Sequence, residues 1–176
     1  MFKNLCGEKV MTFEYTLTDL EKKICVDGAD MRYNIARSSG VSNGKIGPQS
    51  NKLTDQLGLG GELTVAKWLN LYPDFTIYVR QGGADLVTHS GTRIDVKTTT
   101  YATGRLLAKI NTAYESIDVF VLVTTDYLYQ NHRRPAFTVR GWATKEQLIN
   151  PENIINLGHG DGYGLTQDQL QVDTIL

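Results

Sequence analysis

The chain has 176 residues, 41% hydrophobic and 21% charged, with a formal net charge of −1. That length suits one domain with a sizeable core, and the near-neutral balance excludes a generally basic nucleic-acid coat while leaving room for a local basic groove. No apolar run approaches the roughly 20 residues of a membrane span, MFKNLCGEKVMTFEY lacks a signal-peptide core, and Cys6 and Cys25, with no CxxC, argue against disulfides or a zinc ribbon, so a cytoplasmic chain with reduced thiols is expected.

Residues 1–17 read as an irregular or weakly stranded leader. From Thr18 to about Ser38 a Thr/Asp start and good helix formers predict a helix, weakened by Gly28 and basic toward its end at Arg32 and Arg37. Residues 40–51, rich in Gly, Ser, Asn and Pro, read as a loop. A second helix is predicted over about Asp55 to Leu71, closing before Pro73, with three glycines blurring its first turn. After Pro73 the pattern changes to period two: FTIYV, ADLVT, RIDVKTT, LLAKI, VFVLVTT and AFTVRGW are short β-branched or aromatic runs between turn residues, which predicts a mixed or antiparallel sheet. TKEQLI reads as a turn or two of helix, and LGHGDGYGLTQDQLQVDTIL as a Gly-rich loop followed by a short element. The expected organisation is an N-terminal extension over 1–53 and a main domain over 54–176, packed as one compact unit.

On a helical wheel Leu59, Leu63, Val65, Ala66 and Leu69 of the second helix share one arc, and Glu62 falls inside it. Either the helix begins late, with Glu62 complementing the dipole in its first turn, or a buried carboxylate is placed there to meet a cation. In RIDVK the alternation sets Ile94 and Val96 on one face and Asp95 and Lys97 on the other. GGADLVTHSGTRIDVK reads as a hairpin with its turn around His89 to Gly91. A turn of three or five residues sets Asp85 opposite Asp95. Opposed carboxylates repel unless a cation lies between them, and hard oxygen donors suit Mg²⁺ or Mn²⁺.

GELTVAKWL, GGADLV and IDVKTT together resemble the helix acid, hairpin aspartate and D-x-K element of the PD-(D/E)xK nuclease superfamily, the restriction-endonuclease-like and Holliday-junction-resolvase-like folds. The resemblance covers about residues 55–125. DVFVLVTTD is similar to the further core strand of that family, and FTVRGWATKEQL resembles the strand and short helix downstream in small nucleases, phage-encoded ones included. It implies an α/β (α+β) fold, a mixed sheet flanked by helices, and metal-assisted hydrolysis of DNA phosphodiesters in duplex or branched DNA. In that reading Asp85 and Asp95, with Glu62 directly or through water and the Val96 carbonyl, hold one or two Mg²⁺ or Mn²⁺ ions. Lys97 orients or deprotonates the attacking water or stabilises the transition state. Asp74, in the literal YPD, competes for the first acid, but Pro-Asp is ordinary turn chemistry and Asp85 begins the paired strand. A homodimer is expected by the same resemblance, because duplex cutters of this class commonly use two active sites, and host cytoplasm is the expected compartment for a phage-encoded chain.

A second D/E-x-K match, Glu21-Lys22-Lys23, lies in a predicted helix where its side chains are expected to be solvated. Arg32, Arg37, Lys45 and Lys52 in the front half, Arg133, Arg134 and Arg140 in the back half, and Arg105 and Lys109 beside the motif are candidate phosphate contacts. Thr98 and Thr99 are either phosphate donors or strand filler. His89, His132 and His159 are scattered and read as turn residues, GHGDGYG lacks the Lys and Ser/Thr of a P-loop, and Trp68 and Trp142 read as core or interface. A non-catalytic nucleic-acid-binding or assembly protein on the same scaffold is the alternative from a different class.

Overall fold

The computed structural model describes residues 12–40, 50–76, 83–110, 112–126, 134–156, 158 and 160–175. Two helices, α1 (Asp19–Ser38) and α2 (Asn51–Trp68), precede most of the strands. Thr18 starts α1 with a capping box: its hydroxyl accepts from the Glu21 amide at 3.2 Å, and Glu21 Oε2 accepts from the Thr18 amide at 2.9 Å.

The second helix begins earlier and ends earlier than its pattern predicts. Ser50 caps it, accepting from the Leu53 amide at 3.2 Å. Asn70, at φ 53, takes the left-handed position past its end, so that the Leu71 amide reaches back to the Ala66 carbonyl at 2.8 Å. The glycines that blurred the start lie in the helix interior. A Cβ on Gly60 would run into the Phe137 ring and one on Gly61 into the Thr98 hydroxyl, so these glycines let α2 lie close on the sheet.

Five strands form the main sheet in the order β1-β6-β5-β3-β2. They are β1 (Phe13–Thr16), β2 (Leu86–Val87), β3 (Arg93–Thr99), β5 (Val119–Thr125) and β6 (Ala136–Thr144). The β3–β5 pair is parallel and the other three pairs are antiparallel. The division expected after residue 53 falls inside α2, and β1 belongs to this sheet. A second antiparallel sheet has the order β4-β8-β7, from β4 (Leu106–Lys109), β7 (Ile154–Asn156) and β8 (Asp161–Leu165). The tail read as a Gly-rich loop therefore contains a strand. Gly164 lies against Ile155 and Leu107, where any side chain would collide, so here glycine serves close packing instead of a turn. A short helix, α3 (Lys145–Leu148), follows β6. FTIYV is not a strand where it is described, at Phe75 and Thr76; the rest of it, most of the 40–51 loop and most of YQNHRRP lie outside the described residues.

The main sheet has a core on each face. Leu59, Leu63, Val65 and Ala66 of α2 pack with Ile94, Val96, Val121, Val123 and Phe137. Phe120 and Leu122 pack on the other side with Leu106, Ala108, Leu148 and Leu165. All seven residues of β5 are buried, as a strand covered on both faces requires. The fold is mixed α/β, and among the described residues no helix is long and apolar enough to cross a membrane.

Candidate active site

The β2–β3 hairpin fixes the acids. Leu86 pairs with Ile94 and Val87 with Arg93 across a turn of residues 88–92, and the Asp85 amide donates to the Ile94 carbonyl at 2.8 Å. That carbonyl belongs to the residue already opposite Leu86, so Asp85, just before β2, stands out of the regular register and is not paired with Asp95 as the turn length predicts. β2 stops after two residues, and the Val96 amide donates to Asp85 Oδ2 at 2.8 Å instead of to a continuing strand.

Along β3, Ile94 and Val96 are buried under α2 while Asp95 and Lys97 share the opposite face with Phe120 and Leu122, their partners on β5. The Lys97 ammonium is ion-paired with Asp95 Oδ1; the Asp95 side chain is 13% exposed and that of Lys97 37%. Burial acts to lower the Lys97 pKa, but Asp95 first, then Asp85 and Tyr114, outweigh it and hold the ammonium charged.

Glu62 lies well inside α2 with its side chain 12% exposed, which removes the first-turn explanation for an acid on the apolar arc. Its Oε2 accepts from Arg32 Nη1 at 3.1 Å, and Arg32 Nη2 donates to the Asp74 carbonyl at 2.6 Å. The Asp85 carboxyl is pushed up to about 8: burial contributes most, then the charges of Glu62 and Asp95, opposed by the Val96 amide and Lys97. The charges of Glu62 on α2 and of Asp95 and Lys97 on β3 thus all reach Asp85 at the edge of the sheet.

Among the described residues no three His, Cys, Asp or Glu side chains are drawn into a closed cluster. Carboxylate oxygens are nonetheless the donors a hard divalent cation takes, and a cation beside Asp85 would offset the burial and the neighbouring charges of Glu62 and Asp95 that raise its carboxyl. Asp74 is occupied locally: its Oδ1 accepts from the Thr76 amide at 2.8 Å, closing a turn.

The candidate phosphate contacts are mostly engaged within the chain. Arg37 stacks over the Tyr33 ring at 5.1 Å, Lys52 pairs with Asp30 at 2.8 Å, Arg134 lies 3.6 Å from Asp19, and Arg140 Nε donates to the Thr124 hydroxyl at 2.6 Å. Arg105 is exposed on the segment between β3 and β4, where its charge reaches Asp168. Thr99 accepts from the Tyr101 amide at 3.2 Å, and Thr98 is turned toward Gly61. Lys45, Arg133, His132 and His159 lie outside the described residues.

Glu21 departs from expectation. Its side chain is only 15% exposed and pairs with Lys67 at 3.0 Å, because the capping box turns it back over the helix start instead of out into solvent. Arg32 had been grouped with phosphate contacts, and its place on Glu62 was not legible; no local spacing links two residues that meet only when α1 packs on α2. No family model, no curated protein and no solved structure matches the chain.

Proposed function

We propose that the protein is a metal-dependent nuclease that hydrolyses phosphodiester bonds in DNA, with a restriction-endonuclease-like core. The observation that carries this reading is the place of Asp85 at the head of one short hairpin, where the charges of Glu62 and of the Lys97-paired Asp95 both reach it and, after burial, raise its carboxyl. Protein scaffolds gain nothing from neighbouring, half-buried carboxylates, which cost stability when ionised. The order of helix acid, hairpin acid and D-x-K strand, followed by the buried β5 running parallel to β3, supports the same assignment.

Asp85 and Asp95, with Glu62 and the Val96 carbonyl, would hold Mg²⁺ or Mn²⁺. When bound, the ion supplies Lewis acidity toward the scissile phosphate and the attacking water. Lys97 shares its face of β3 with Asp95, so its ammonium can stabilise charge developing on the phosphate or orient the water. The Val96 amide holds the Asp85 carboxylate against β3.

One observation favours the non-catalytic DNA-binding or assembly reading: Arg32 and Lys97 already pair with Glu62 and Asp95. Metal-dependent nicking of supercoiled DNA separates the two. A nuclease cleaves with Mg²⁺ or Mn²⁺ and stops with chelator, whereas a scaffold binds DNA without cutting it.

A further inference from the structure

Arg32 is held at both ends of its guanidinium. One arm meets Glu62 Oε2 at 3.1 Å and the other the Asp74 carbonyl at 2.6 Å, and the side chain is only 15% exposed. The second anchor is itself fixed, because the Asp74 carboxylate closes a turn onto the Thr76 amide and Asn70 sets the path by which the chain leaves α2. The guanidinium therefore ties the helix carrying Glu62 to the segment that leads toward the hairpin. A planar fork can span two acceptors in fixed directions, which a lysine ammonium cannot do.

We propose that Arg32 is a positioning residue for the acid cluster: it sets the direction of the Glu62 carboxylate and thereby the affinity of the cluster for a divalent cation. This rests on the metal-dependent nuclease reading. It assigns the front helix α1 a part in the site although α1 carries none of the acids. It also separates Arg32 from a phosphate contact, since its donors are directed at the protein's own oxygens.

The test uses the full chain as wild type, Arg32→Lys, Arg32→Gln, Glu62→Gln and the double variant Arg32→Gln/Glu62→Gln. Folding is checked by circular dichroism, Mn²⁺ binding by calorimetry, and plasmid nicking is followed against Mn²⁺ and against DNA concentration. Arg32→Lys keeps the charge, so it stays folded even where Arg32→Gln removes the ion pair from the buried Glu62. The expected result is that Arg32→Lys weakens Mn²⁺ binding and raises the half-activating Mn²⁺ concentration by about ten-fold, the size typical of groups that orient ligands. KM for DNA stays unchanged, and the double variant behaves as Glu62→Gln alone.

Wild-type Mn²⁺ dependence in Arg32→Lys overturns the proposal. So does a raised KM for DNA at unchanged Mn²⁺ dependence, which would make Arg32 a phosphate contact, or additive losses in the double variant. A wild-type chain that neither binds Mn²⁺ nor nicks DNA overturns the nuclease reading and this inference together, whereas an active wild type with an unaltered Arg32→Lys overturns this inference alone.

Discussion

The Val96 amide donates to Asp85 Oδ2 at 2.8 Å, so the side chain of the hairpin acid takes a hydrogen bond that a longer β2 would have made with its backbone. Asp85 thereby ends its strand, holds its carboxylate beside Asp95, and stays within reach of the charge on Glu62.

Asparagine at position 85 can still accept from the Val96 amide but carries no charge. A carboxyl raised from near 4 to about 8 takes up a proton on folding, so it lowers stability as pH rises through that window. With chelator present, Asp85→Asn should melt above wild type by a few degrees at pH 9, about 1–2 kcal/mol, and the gap should close near pH 4. Thermal scans across pH measure this, and an Asn variant that melts lower at pH 9 would contradict the crowded-acid site.

Glu21 works in the opposite sense. Burial acts to raise its carboxyl, but the Thr18 amide and hydroxyl, Lys67 and Tyr15 together bring it down to about 2. Its contribution is present above about pH 4.5 and is lost as pH falls toward 2. Glu21→Gln keeps the capping acceptor and should cost about 1 kcal/mol at pH 7. Denaturant melts should show that cost vanish near pH 2; an equal cost at both pH values would assign it to packing.

Gly61 next to Glu62 tests how closely the helix must lie. Alanine there adds about 1 kcal/mol of helix propensity, yet its Cβ would meet the Thr98 hydroxyl. Gly61→Ala should therefore lose about 1–3 kcal/mol net, as overpacked sites do, and Thr98→Ala in the same chain should recover most of the loss. Chemical denaturation decides it, and a stabilised Gly61→Ala would mean that α2 can move off β3 at no cost.

Much of this site was legible because it rests on local periodicities. Alternation placed Asp95 and Lys97 on one face, the hairpin pattern brought Asp85 next to β3, and the 3.6-residue arc marked Glu62 as an acid among apolar neighbours; the pairing of Asp85 with Asp95 did not follow, because Asp85 leaves the ladder just before β2. The bounds of α2 were harder to read, because Gly58, Gly60 and Gly61 look like a fraying start until Phe137 and Thr98 are seen to need the space. β8 was missed for the same reason: Gly162 and Gly164 read as turn residues, whereas both sit in the ladder of β8 and Gly164 leaves room for Ile155 and Leu107 on the neighbouring strands. The Arg32–Glu62 pair was out of reach of any local rule, since 30 residues and the packing of two helices separate its members.

The central claim is that the acids about the β2–β3 hairpin and Lys97 carry out phosphodiester hydrolysis. Its most direct test is nicking of supercoiled and branched DNA by wild type, Asp95→Ala and Lys97→Ala, each with Mg²⁺, Mn²⁺ or chelator. The account predicts cleavage by wild type with metal only, and a loss on the order of 100-fold or more in each folded variant. Cleavage that persists in both variants, or no cleavage by wild type with either metal, would contradict it.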